Sequence, residues 1–218
     1  MARVAVAGGR IALAIVLMAS PLTPGLAGAE VIDRVVATVG SRTITWSDVR
    51  AAVSLGLVAG APTADPGGQA AVDAVVNREL VALEVERYGP GGTPEAAVDD
   101  RLAAISDRLG EGELARVMAR AGLDPPRLRA LVREQLEIER YVAERFGAAA
   151  QPTDDEVRRY FLERAAEFVL DGVPMSFEAA EPAAREALTA ERRQRLVDDW
   201  VAGLRRRATV VIRTGFGL

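Results

Sequence analysis

From residue 31 to residue 48 the chain reads VIDRVVATVGSRTITWSD, and apolar and polar positions alternate through it in two short runs. Residues 34–39 and 42–46 are rich in β-branched and aromatic side chains. They flank Gly40-Ser41, a Gly-first pair that suits a type II′ hairpin turn. Ser47 and Asp48 follow directly. A serine hydroxyl can accept from the free N–H groups of a first helical turn, so the pattern predicts a passage from hairpin to helix at Ser47-Asp48. A two-stranded hairpin is marginal alone in water and needs a third strand or a covering helix. The candidate third strand is at the other end of the chain, in residues 209–213 (TVVIR).

Helical spacing dominates what lies between. A first helix is predicted over 47–57, ending at the Gly/Pro-rich loop 60–68. A second follows over 69–88, with apolar residues (Val72, Val75, Val76, Leu80, Val81, Leu83, Val85) on more than one face, as suits the centre of a bundle. The run GPGG at 89–92 ends it. Thr93 as N-cap and Pro94 in the first turn restart a helix striped by Val98, Leu102, Ile105 and Leu109. A short helix, 113–121, stops at Gly122. Asp124 and Pro125 then open a long one to about Phe146. Leu128, Leu131, Val132, Ile138, Val142 and Phe146 line one side of it, and Arg127, Arg133, Glu134, Glu137 and Arg140 the other. Gln135 and Glu139, four apart, interrupt the apolar stripe, and a carboxylate there must be paired. An arginine from a neighbouring helix, Arg78 being one candidate, accounts for Glu139 better than a catalytic acid does, because no second titrating partner accompanies it.

A linker, 147–152, precedes Thr153-Asp154-Asp155-Glu156, a capping box that starts a helix predicted to run through Phe168. Val157, Tyr160, Phe161 and Phe168 make this the densest local run of aromatics. Asp171-Gly172 marks a turn. From Phe177 a long helical stretch, with Pro182 near its start, carries the stripe Leu196, Val197, Trp200, Val201 and Leu204. Arg205, Arg206 and Arg207 close it, where three cations meet the helix macrodipole favourably. The fold class that follows is mainly α: a helical bundle with a small antiparallel sheet formed by the N-terminal hairpin and the C-terminal strand, covered in part by Trp46 and Trp200.

Composition narrows the chemistry. Among 218 residues there is no Cys and no His, and every basic side chain is Arg. Thiol and imidazole catalysis, disulfides, His/Cys metal sites and Schiff-base lysines are thereby excluded. No catalytic, cofactor-binding or metal-binding residue is expected. Residues 1–29 have the three parts of an export leader: Arg3 and Arg10, an apolar core at 11–19, and Ala27-Gly28-Ala29 after Pro21. The apolar run is short of the roughly 20 residues of a spanning helix, so cleavage near Ala29 is expected rather than retention as an anchor. Removing 29 of 218 residues leaves 189, and losing two arginines moves the net charge from −4 to −6. An exported chain without stable membrane insertion follows. A net acidic chain has no basic footprint for nucleic acid.

Taken in order, these pieces resemble the SurA-type periplasmic chaperones. The resemblance begins with the hairpin IDRVVATVGSRTITWSD and the helix VNRELVALEVERYG. It runs on through TPEAAVDDRLAAI, LARVMARAGLDPPRLRALVREQLEIERYV and TDDEVRRYFLERAAEF, and resumes in SFEAAEPAAREALTAERRQRLVDDWVAGLRRRATVVI. It implies four segments: a signal peptide at 1–29, a hairpin and helical domain at 30–146, a linker and capping-box helix at 147–176, and a C-terminal helix and strand at 177–218 that packs back on the hairpin. It also implies an ATP-independent periplasmic holdase whose partners are unfolded or extended polypeptides, outer-membrane proteins among them. The aromatic arm, Tyr160, Phe161, Phe168 and Phe177, would be the client-binding surface; an ordinary core place is the competing expectation for each. The other readings are a non-catalytic assembly subunit with one fixed partner, and a prolyl isomerase by family name only.

One departure from the family is internal to the chain. A parvulin isomerase domain commonly sits between the capping-box helix and the final helix, but here only about eight residues, 169–176, separate them, and a domain needs roughly 50. The purified protein is therefore expected not to accelerate cis-to-trans conversion of a prolyl peptide, a process of tens to hundreds of seconds uncatalysed. A rate that rose with protein concentration and survived repurification would contradict this.

Overall fold

In a computed structural model, which describes residues 33–58, 68–89 and 91–213, the first strands form where the alternation places them. The leader expected at 1–29, Val31 and Ile32 of the hairpin stretch, most of the loop expected at 60–68, and Pro90 lie outside the described residues. β1 (Val35–Val39) and β2 (Arg42–Thr45) pair antiparallel with Val39 opposite Arg42. Gly40, with φ of 58°, occupies the turn position that only glycine takes without strain.

Helix α1 (Trp46–Ser54) starts before Ser47. Thr45 is its cap: the Thr45 hydroxyl accepts from the Asp48 N–H at 3.3 Å, and the Asp48 carboxylate accepts from the Thr45 N–H at 2.9 Å. A reciprocal box satisfies two free donors where a lone serine satisfies one, so it wins. Ser47 instead donates its N–H to Asp33 at 3.2 Å, and its hydroxyl bonds the other Asp33 oxygen. The helix ends three residues before the expected limit, in a Schellman motif: Leu57 N–H bonds the Ala52 carbonyl and Gly56 N–H that of Val53, with Gly56 at φ 68°.

Helix α2 (Gln69–Tyr88) has the expected bounds and is buried along several faces, packing on α1, the sheet and two later helices. α3 (Glu95–Leu109) begins one residue past Pro94, and Thr93 donates to Glu137 at 3.4 Å instead of capping. α4 (Glu111–Ala121) and α5 (Pro125–Phe146) follow. Asp124 caps α5 by accepting from the Arg127 N–H at 2.7 Å.

The helix expected to reach Phe168 stops sooner. α6 (Asp154–Glu163) gives way to a 3₁₀ turn at Ala165–Glu167 and then to a small hairpin, β3 (Val169–Leu170) and β4 (Val173–Pro174), around Asp171-Gly172. Both turn residues have positive φ, 50° and 81°, the geometry an Asp-Gly type I′ turn requires. α7 (Phe177–Arg207) has 31 residues and at 1.5 Å per residue spans roughly 46 Å. It leads into β5 (Val210–Ile212), antiparallel to β1, giving the strand order β2-β1-β5. Backbone bonds from Gly40 to Thr209 and from Arg213 to Val36, each 2.9 Å, extend that pairing at both ends.

Three apolar clusters result. The first joins the sheet, α2 and the last turns of α5 and α7, with Trp46 and Trp200 packed at its margin. The second lies among α1, α3, α4 and α5, and the third between α6 and the first half of α7. Because β5 covers a β1 whose Val36, Ala37 and Val39 are fully buried, truncation after Arg207 should lower the melting temperature by roughly 5 °C or more, each kcal/mol being about 2–4 °C at this size. A truncated chain that melted with the parent in circular dichroism would refute the closure.

Candidate functional site

Two features stand out for chemistry: a charged cleft at the edge of β2, and the arm built from α6, the small hairpin and α7. The cleft, about 420 Å³, runs between β2, α1, α2 and α5, and Arg42, Arg78, Glu79, Arg127 and Glu134 are among its lining residues. Arg42 donates to Glu79 at 3.0 Å, to Glu134 at 3.3 Å and to Glu86 at 3.0 Å. Arg78, only 7% exposed at its side chain, donates to Glu79 at 3.0 Å, Glu134 at 2.8 Å and the side-chain amide oxygen of Gln135 at 3.1 Å. Two guanidinium forks therefore tie β2, α2 and α5 together through shared carboxylates, a task suited to the planar donor set of arginine. Every strong acceptor in this network is already taken. Its arrangement is that of a suture rather than an acid–base pair.

Glu139 is satisfied by an arginine of a neighbouring helix, but by Arg101 of α3 and not by Arg78. The two nitrogens of Arg101 reach its carboxylate at 2.9 and 2.7 Å, and Gln135 adds a bond at 3.1 Å. Burial pushes the Glu139 carboxyl up, yet the hydrogen bonds from Arg101 and Gln135 and the Arg101 charge outweigh it and hold the pKa below the ordinary value. Among the described residues no cluster of carboxylates could hold a metal ion, and no helix is long and apolar enough to cross a membrane.

The arm is organised by its own capping box. The Thr153 hydroxyl accepts from the Glu156 N–H, and Glu156 accepts the Thr153 N–H at 2.8 Å while meeting Arg192 of α7 at 2.5 Å. Ala180 and Ala184 are fully buried, so α6 lies close on α7 with Val157, Tyr160, Phe161 and Leu188 between them. Tyr160 and Phe161, each 8% exposed, belong to this core; Phe168 and Phe177 are half-buried against it. Phe161 stacks 5.5 Å from Phe168 and 5.6 Å from Phe177, and Arg158 sits 4.2 Å over the Phe177 ring. Tyr160 donates to Glu191 at 2.9 Å, and Arg164 bridges both. Burial and Glu191 raise the Tyr160 phenol, which keeps it a donor.

What sequence reasoning missed lies just beyond these aromatics. Leu162, Leu170 and Val173 are 65–67% exposed and Val169 48%, and all of residues 169–174 are on the surface. Leu170 and Val173 face each other across the hairpin and share one face, with Val169 and Pro174 on the opposite one. The hairpin thus projects from the aromatic cluster with apolar side chains uncovered on both faces. Two apolar residues on either side of an Asp-Gly pair were the available signal.

No protein-family model matches the chain. Chaperone SurA of Chromobacterium violaceum is 29% identical to it over 147 residues, which cover 64% of this chain and 33% of that protein. Over that stretch the chain is SurA-like. It spans about a third of the length of that relative.

Two outcomes check the electrostatics. Replacing Arg78 by Ala leaves Glu79 and Glu134 with Arg42 alone and Gln135 without its donor, and should cost about 3 kcal/mol in urea unfolding, while Arg101→Ala, which breaks a pair 35% and 42% exposed, should cost about 1 kcal/mol or less. Equal costs would refute the suture. Arg192 and the Thr153 cap depress the Glu156 carboxyl from its ordinary 4.5 to about 2. A depressed carboxylate stabilises the fold above its unfolded value, so the contribution should be intact above pH 4.5 and be lost between 4.5 and about 2. A carbon-detected NMR titration of Glu156 with a midpoint near 4.5 would contradict the geometry.

Proposed function

We propose that this protein is an ATP-independent periplasmic chaperone, a holdase that binds unfolded exported polypeptides, with outer-membrane proteins as clients. The observation that carries the reading is the uncovered apolar hairpin of Val169, Leu170 and Val173, with Leu162 nearby on α6. Large apolar side chains held out on a polar surface mark a place where another chain is received. The similarity to chaperone SurA supports the same reading, as does the leader expected at residues 1–29, which would place the protein where no ATP pool exists.

The energetics suit a carrier. Passive burial yields roughly 25 cal/mol per Å², so a few partly exposed side chains contribute a few kcal/mol and release their client readily. Phe168 and Phe177, half-buried at the foot of the hairpin, extend the client surface; Tyr160 and Phe161 support it from beneath. No step of this function requires a catalytic residue, a cofactor or a metal.

A denatured β-barrel protein should stay soluble at near-stoichiometric ratio without nucleotide. Leu170→Ser combined with Val173→Ser should weaken that suppression without lowering the melting temperature, whereas Phe161→Ser should lower it. Unchanged aggregation together with co-purification of one fixed partner would replace the chaperone reading by that of an assembly subunit.

A further inference from the structure

The backbone of the small hairpin is asymmetric in a way its side chains are not. Leu170 and Val173 flank a two-residue turn and so form the hydrogen-bonded pair, which makes Val169 and Pro174 the next, non-bonded pair, with backbone groups aimed away from each other. The Met175 N–H bond to the Phe168 carbonyl, 3.0 Å, completes the alternation. The outer edge of β3 therefore presents both the N–H and the C=O of Val169. The outer edge of β4 presents only a carbonyl, because Pro174 has no N–H to give. This sheet has two strands, so among the described residues no third strand takes the open edge.

We propose that β3 is a one-sided template: an extended apolar segment of a non-native polypeptide, flanked by Lys or Arg, adds to it as a further strand, and Pro174 prevents growth from the other side. This rests on the holdase reading and names how that site recognises its clients. Backbone pairing reads extended conformation rather than sequence, while Val169, Leu170 and Val173 offer apolar contact to alternate side chains. Area decides between a client and a second copy of this chain. Four partly exposed aliphatic side chains supply roughly 300 Å², well below the about 800 Å² per partner of a stable dimer, and suit a transient guest. Charge decides the flanks. Glu163, Glu167 and Asp171 border the hairpin, exposed and with no ion pair closer than 4 Å among the described residues; of the cations on and beside α6, Arg164 is held chiefly by Glu191 and Arg158 by the Phe177 ring, so three acidic groups face Arg159 alone and the surroundings stay net acidic.

The test uses the full chain and a fluorescein-labelled peptide of alternating Val and Thr with Arg at each end, followed by anisotropy. Val169→Pro, which removes the open N–H from an exposed strand, should weaken binding at least tenfold at an unchanged melting temperature. Pro174→Val should retain binding and move the stoichiometry from one peptide towards two. The same peptide ended by Glu should bind several-fold more weakly. Val169→Pro binding like the parent would overturn the template, and so would a stoichiometry of one in Pro174→Val. A parent that sediments as a dimer, with Val169→Pro as a monomer, would make the occupant a second copy and overturn the proposal in favour of self-association. The two readings separate cleanly. If the parent prevents aggregation and Val169→Pro does so equally well, the template fails and the holdase stands; if peptide binding depends on Val169 but aggregation is unaffected, the holdase fails and the template stands.

Discussion

The pairing of β1 with β5 is the constraint on which the rest of the structure depends. A two-stranded hairpin is marginal alone in water, and β5 arrives from the far end of the sequence to complete it. That closure gives Val36, Ala37 and Val39 a covered sheet to belong to, and gives α2 a surface to pack on. It also fixes α7. With its last turns held beside the sheet at Leu204 and Trp200, the helix carries its first half, some 46 Å of axis in all, out to α6. One helix thus contributes to two apolar clusters, and the arm, joined to α5 through residues 147–153, is supported from the core by α7.

Polar contacts divide by burial into those that hold the fold and those that decorate it. The Arg42–Glu79–Arg78–Glu134 network is partly buried, branched and shared among three elements, so loss of one member takes a charged hydrogen bond from several others at once. The bridges along α3 and α5, such as Arg129 with Asp99 and Glu95, are largely solvated and worth little individually. Arg205 was expected only to meet the helix macrodipole, but it bonds Asp73 at 2.5 Å and Asn77 at 3.1 Å, which latches the end of α7 to α2. An all-arginine basic set makes these multi-donor contacts possible.

Most of the architecture was legible because it depends on periodicity and punctuation. The bounds of α2 follow from its flanking glycines, α5 from Asp124 and Pro125, and the third strand from the insufficiency of a hairpin. The errors have local causes. Thr45 took the cap because a box with Asp48 is worth more than the hydroxyl of Ser47. Arg101 rather than Arg78 met Glu139 because helix rotation, which apolar spacing fixes only to within a face, decides which arginine points where. The turn at Asp171-Gly172 was legible but the two-residue strands beside it were not, being too short to show a period; and the preceding helix was read five residues too long because Ala165 and Ala166 propagate helix, whereas Phe168 turns back onto Phe161 and the chain leaves the axis. The aromatics were conspicuous in the sequence and lie largely inside, while the aliphatic residues beside them are the exposed ones.

A folded core that closes on its own termini, and an arm that offers apolar surface to other chains, are two separable parts of one compact unit. Hydrogen exchange followed by mass spectrometry, with and without a denatured β-barrel protein, tests that division most directly. The account predicts added protection in peptides covering residues 162–175 and none in those covering β1, β2 and β5. Protection confined to the three-stranded sheet or the charged cleft, with residues 162–175 exchanging as in the free protein, would contradict it.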